Sequence, residues 1–129
     1  MSVSSSPYNF RVDIRTQYVS EQSSPEHNRY MFAYTITIHN TGTQSAKLMS
    51  RRWRITDGHG KIHEVSGQVS TTKRPPYLRP GEGFQSTEAA LITTPVAILQ
   101  GSYQMQTDEG HSFNAEIPPF SLSLPHTLH

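Results

Sequence analysis

Large apolar residues recur at every second position over much of this chain. Between residues 10 and 18 they fall at Phe10, Val12, Ile14 and Tyr18, with Arg11, Asp13, Arg15 and Gln17 between them. A period of two over nine residues suits a half-buried strand, because successive side chains point to opposite faces. Tyr30, Phe32, Tyr34, Ile36 and Ile38 repeat the pattern and predict the strongest strand, which Asn40-Thr41-Gly42 closes as a turn. The intervening residues 21–28, with Ser23-Ser24-Pro25, read as a loop. A third strand is predicted over residues 46–56, with Met49, Trp53 and Ile55 inward and Arg52 and Arg54 on the opposite face. Asp57-Gly58 with Gly60 is the clearest hairpin signal, leading into residues 61–65, where Ile62 and Val65 supply apolar groups.

Residues 66–81 read as irregular, since Pro75-Pro76 and Pro80-Gly81 forbid a central strand. Residues 84–92 predict a strand stopped by Pro95. Residues 98–107 predict another, with Leu99, Tyr103 and Met105 on one face. After the turn Asp108-Glu109-Gly110, the last strand begins at Phe113, Ala115 and Ile117 and resumes at Phe120, Leu122 and Leu124. Pro118-Pro119 must break its ladder, which implies an edge position or a bulge. No window shows a 3.6-residue period. Seven or eight short strands with frequent turns read as an all-β, immunoglobulin-like sandwich of antiparallel strands. Trp53 lies where such a sandwich places its core Trp, but no Cys pair flanks it, so a fibronectin-III-like variant fits better than an antibody-type domain. A closed barrel is the alternative. The predicted core includes Phe32, Tyr34, Ile36, Trp53, Ile55, Tyr103 and Met105.

Composition narrows this picture. The length of 129 residues suits one domain, expected over residues 9–126 behind a flexible, Ser-rich tail over residues 1–8. Leu, Ile, Val and Phe total only 26, near the disordered class, but disorder also wants high net charge and here it is +1. Ser and Thr total 29, which leans toward strands together with the aromatics. Near-balanced charge argues against a protein built to grip nucleic acid or an anionic membrane. No apolar run approaches a membrane span, and the N-terminus lacks an apolar signal region, so a cytoplasmic location is expected. The absence of Cys excludes disulfides, zinc-thiolate sites and cysteine nucleophiles.

Little specific chemistry emerges. Outside the C-terminal tail, His59 and His63 are the only close His pair, and strand positions four apart sit about 13 Å apart, too far to share an ion. His126 and His129 fall in the C-terminal tail. No Gly-x-Ser-x-Gly elbow or local triad is present, and Asp108-Glu109 sit in a turn. No catalytic residue, metal site or cofactor is therefore expected. The basic cluster is the best polar signal. Arg52 and Arg54 face solvent, whereas Arg51 shares the Trp53 face and either caps the core edge or stacks on a ring. Lys73-Arg74 and Arg79 add a second basic group. These residues form either a solvated sheet face or a partner-binding surface, and Arg51, Arg52, Arg54, Lys73 and Arg74 are the candidates.

Several segments taken in order resemble the ApaG family of small bacterial proteins. They are Gln22-Ser23-Ser24-Pro25, Tyr30-Met31-Phe32-Ala33-Tyr34-Thr35-Ile36-Thr37-Ile38 and Ser50-Arg51-Arg52-Trp53-Arg54-Ile55-Thr56-Asp57, followed by Pro80-Gly81-Glu82 and Thr94-Pro95. Gln100-Gly101-Ser102-Tyr103-Gln104-Met105 and Ile117-Pro118-Pro119-Phe120 complete the set. The resemblance runs from Phe10 to His126. It implies a fibronectin-III-like sandwich, similar to domains of eukaryotic F-box and polymerase-associated proteins that act as interaction modules, and it implies no enzymatic activity. The family's name comes from a gene neighbour, a diadenosine tetraphosphatase, and the family is linked genetically to cobalt and magnesium handling. The expectation is a non-enzymatic binding module with a protein partner, able to pair with a second copy through a sheet edge. The alternatives are a nucleotide- or polyphosphate-binding regulator and a factor in cobalt or magnesium homeostasis. Three stretches depart from the family pattern, one of them residues 73–80, which is one residue longer than usual. The family's Gly-x-Gly-x-x-Gly run reads Gly67-Gln68-Val69-Ser70-Thr71-Thr72 here, and Glu88-Ala89 replace its Ser-Gly pair. β-Branched Val69, Thr71 and Thr72 disfavour the positive φ that a phosphate-cradling nest requires.

Overall fold

Strand β1 (Phe10–Tyr18) pairs antiparallel with β2 (Tyr30–Asn40) along its whole length, from Phe10 opposite Asn40 to Tyr18 opposite Phe32. The computed structural model describes residues 8–68 and 75–125, and these form eight strands in two sheets. β3 (Ala46–Asp57), β4 (Ile62–Gln68), β5 (Tyr77–Leu78), β6 (Gly83–Ile92), β7 (Val96–Thr107) and β8 (Ser112–Ser123) follow in order. One sheet runs β1-β2-β6. The other runs β4-β3-β7-β8, with β5 continuing the β4 edge beside Ala46 and Lys47. This arrangement is a fibronectin-III-like β-sandwich, as the alternation predicts. The loop of residues 21–28 holds two single 3-10 turns, and Asn28 takes φ 57 at the end of the second.

The alternating positions become the core. Phe32, Tyr34, Ile36 and Ile38 of β2 face Leu48 and Trp53 of β3 and Leu99, Tyr103 and Met105 of β7, all buried. Trp53 is fully buried, its ring centroid 5.9 Å from Tyr34 and 5.9 Å from Tyr103, both near edge-to-face. Gly101 makes room for it: a Cβ there would lie 2.7 Å from Trp53 Cε3 and 2.0 Å from the Arg52 carbonyl oxygen. Ile55 is only partly buried at the margin of the core. At the N-terminal end the Tyr8 ring packs 5.1 Å from Phe113.

Three readings change. Met49 is not inward but 37% exposed, because it is the extra residue of a bulge: Leu48 opposes Met105 while Ser50 opposes Gln104. β4 reaches Gln68, so residues 66–68, expected to be irregular, continue the ladder beside residues 50–52. Ile62 and Val65 remain exposed, at 55% and 41%. Ile62 is on the outer face. Val65 is on the inner face, but the three-stranded sheet ends at β6 and places no strand over β4. Pro118-Pro119 does both things the sequence allows. β8 is an edge strand, and its ladder shifts there, with Leu99 opposite Phe120 and Gly101 opposite Ile117.

Candidate partner-binding face

Strand periodicity distributes the three arginines of β3. Arg51 turns inward with Trp53, and its guanidinium makes a two-pronged pair with Glu88 of β6, Nε to Oε2 at 2.8 Å and Nη2 to Oε1 at 2.9 Å. The hydrogen bonds to Glu88 raise the Arg51 pKa above its usual value, against the opposing effect of burial. Glu88 reaches Arg51 from the opposite sheet. Its carboxylate also lies 3.5 Å from the Tyr34 hydroxyl. Burial first, and the Glu88 charge second, hold the Tyr34 pKa far above the phenol range. Arg51 therefore caps the core edge as an inter-sheet clamp and is not part of the solvent face.

Arg52 and Arg54 face solvent on the outer side of the five-stranded sheet. Arg54 Nη2 meets Glu64 Oε2 across the β3–β4 ladder at 3.1 Å, with both side chains more than half exposed, so the pair contributes little stability. Arg52 opposes Ser66 on one side and Ser102 on the other, and it has no ion pair or side-chain hydrogen bond among the described residues. The bulge at Pro118-Pro119, the Gly101 backbone and the small Ser102 line a dent of about 450 Å³ beside these two guanidinia, rimmed by Gln100 and Glu116. Lys73 and Arg74 lie outside the described residues. Arg79 is exposed in the turn before β6, where its backbone N–H donates to Glu82 Oε1 at 2.8 Å.

A larger recess, about 760 Å³, lies where the 57–60 turn meets Thr94 and Pro95. Arg29 is the only permanently charged side chain lining it. Thr94 Oγ1 is already used, accepting from the Gly58 N–H at 2.8 Å and donating to the Val96 carbonyl at 2.7 Å. The recess thus offers space without convergent chemistry. One contact at its rim escapes sequence reasoning: Ser24 Oγ lies 2.7 Å from His27 Nδ1. A catalytic relay needs the acid on the His nitrogen remote from the serine. Here Ser24 Oγ donates to Glu26 Oε1, which lies 3.6 Å from the same Nδ1, so the trio is a local contact of the 3-10 turn and forms no relay.

His59 and His63 do not converge either. The His59 backbone N–H donates to Asp57 Oδ1 at 2.9 Å, and His63 Nε2 lies 3.6 Å from Asp57 Oδ2. Burial would raise the Asp57 pKa, but N–H donors from Lys61 and His59 outweigh it and hold the carboxyl below its usual value. Among the described residues no three His, Asp or Glu side chains are grouped to hold a metal ion. No helix among them is long and apolar enough to cross a membrane.

The strand order and the chemistry of the site together define a fibronectin-III-like sandwich that presents faces and edges. The chain belongs to the ApaG family: the ApaG domain matches residues 20–107. It is 50% identical over 123 residues to Protein ApaG of Methylococcus capsulatus, covering 95% of this chain and 97% of that one. It is 48% identical to Protein ApaG of Thiobacillus denitrificans, covering 95% of each. A crystal structure of a Bordetella pertussis protein assigned as ApaA superposes with a TM-score of 0.88 at 39% identity, covering 94% of this chain and 98% of that one.

Proposed function

We propose that this chain is a cytoplasmic binding module that works by docking a protein partner and catalyses no reaction. The docking face is the outer side of the five-stranded sheet, centred on Arg52 and Arg54. The observation that carries this reading is the Arg52 guanidinium, exposed and unpaired among the described residues, beside a dent at the Pro118-Pro119 bulge. A planar fork of this kind recognises carboxylates in two-pronged fashion, and a neighbouring depression accepts an apolar anchor. The matching partner surface carries an Asp or Glu next to a projecting apolar side chain. The nucleotide rival has less support, because Gly67, the glycine retained from the Gly-rich run, sits within β4 opposite Arg51 and not at a turn.

The test is affinity capture from extract of the source cells with the unaltered chain and with the Arg52→Glu, Arg54→Glu double variant. Loss of a saturable partner is expected, with thermal stability nearly unchanged, because surface substitutions shift stability by only about 0.5 kcal/mol. Undiminished capture of the same partner by the double variant would reduce this face to a solvated sheet surface.

A further inference from the structure

The free edges of the sandwich are not equivalent. β1 carries Arg11, Asp13 and Arg15 on its outward side, β8 carries the Pro118-Pro119 bulge, and β4 carries the charged Glu64 on its outer face. Charges, proline, bulges and shortness are the devices that keep a sheet edge from pairing. β6 has none of them. Over its ten residues the outward side chains after Gly83 are Gln85, Thr87, Ala89 and Leu91, all uncharged, and its one charge, Glu88, points inward and is neutralised by Arg51. β2 pairs with one side of β6; no described strand pairs with the other.

Beside that edge the two layers are offset. Arg51 of β3 reaches Glu88, so β6 lies over β3, and β4 extends one strand further. The inner face of β4 thereby bears Val65, 41% exposed, and the half-exposed His63 with no described strand above them. A cleft of about 340 Å³ opens there between the layers, lined by Val65 and Ile55 below and Ala90, Leu91 and Ile92 above.

We propose that this edge is a second docking site, which takes one extended segment of a partner protein as an added strand. Such a strand would hydrogen-bond to the open side of β6, and its inward side chains would cover Val65 in the cleft. Charge complementarity sets the chemistry. The edge is uncharged and the Arg51–Glu88 pair satisfies itself, so the fitting segment is uncharged, with Val, Ile or Leu at alternate positions. The same offset selects a single strand over a second copy of the chain. A second sandwich paired through β6 would bring its own β3 and β4 into the layer that β4 already occupies. This site is separate from the Arg52 face and does not depend on it.

The experiment screens the intact chain against an array of random, end-blocked nonapeptides. Binding peptides are then followed by titration and by hydrogen exchange. Binders are expected to alternate apolar and polar residues. Binding should slow amide exchange within residues 85–91. Val65→Lys should weaken binding at least tenfold, whereas Ile62→Lys, on the outer face of the same strand, should leave it unchanged; thermal melts verify both folds. Binders without alternation, or binding that leaves exchange over residues 85–91 unchanged, would overturn the proposal. It would also be overturned by two rival occupants. One is a concentration-dependent dimer abolished by Val65→Lys, which assigns the edge to a second copy. The other is full protection of residues 85–91 in the free chain with no peptide bound, which assigns it to a segment of the chain itself.

Discussion

Trp53 is the side chain on which both layers converge. It is fully buried, edge-on to Tyr34 of the opposite sheet and to Tyr103 of its own, and Gly101 exists to admit it. Trp53→Ala should cost about 3–5 kcal/mol, because the transfer energy of a large aromatic is lost and a cavity remains. The urea midpoint should fall with an unchanged slope, and an unchanged midpoint would contradict the assignment. Tyr34 adds a pH signature. Burial first, and then Glu88, raise its folded pKa, and Tyr103 is raised by burial as well, although Ser86 pulls it back. A raised folded value means stability that is complete below the unfolded phenol value, about 10, and lost as pH rises above it. Tyr34→Phe should therefore flatten the decline in urea midpoint between pH 10 and 12. At this scale the sequence tells which face a side chain takes but not what it meets. Alternation puts Arg51 on the Trp53 side. Its partner, Glu88, is 37 residues away in the other sheet, where no local pattern can reveal it.

Among the elements, the strands with one buried face are legible because burial imposes the period of two. β1, β2, β6 and β7 lie where alternation predicts them. The pattern fails where burial does not govern it. Met49 breaks step at a bulge, and β4 is exposed on both faces, so its reach to Gln68 leaves no apolar trace. Nor does the sequence announce that one sheet is a strand wider than the other, which is why Val65, an apolar residue on the inner face of β4, is left exposed. Pro118-Pro119 is the exception, since proline speaks directly about hydrogen bonding. β8 is twelve residues long and forms an outer edge, and the pair interrupts it. Replacing both with Thr should restore a continuous edge with free N–H groups and promote strand-to-strand association. Sedimentation velocity over a concentration series should show oligomers for Pro118→Thr, Pro119→Thr and none for the parent. A variant that stays as monomeric as the parent would mean that the bulge serves to shape the Arg52 dent, not to protect the edge.

For the molecule as a whole, two sheets without a disulfide must hold together by their shared core and by whatever crosses it. The Arg51–Glu88 pair is a charged crossing, with 17% and 24% of the two side chains exposed. Such a pair is costly to break, because removing either partner leaves the other charge partly buried and unmatched, whereas replacing both with apolar groups is often neutral. Glu88→Leu and Arg51→Met alone should each destabilise by about 2 kcal/mol, less than a fully buried pair because the cleft admits water. The double variant should recover most of that loss, giving a coupling energy of about 1–3 kcal/mol in urea unfolding of the four proteins. The two proposed surfaces make the readout sharper. Arg51 and Arg52 are consecutive on β3 but point to opposite sides of the sheet, so the double apolar variant should keep the partner captured through Arg52. Glu88 and Arg51 also line the β6 cleft, so the same variant should make that lining more apolar and leave the alternating peptides bound at least as tightly. A coupling energy below about 0.5 kcal/mol, the usual scatter of independent sites, would show that the sheets are held by the apolar core alone.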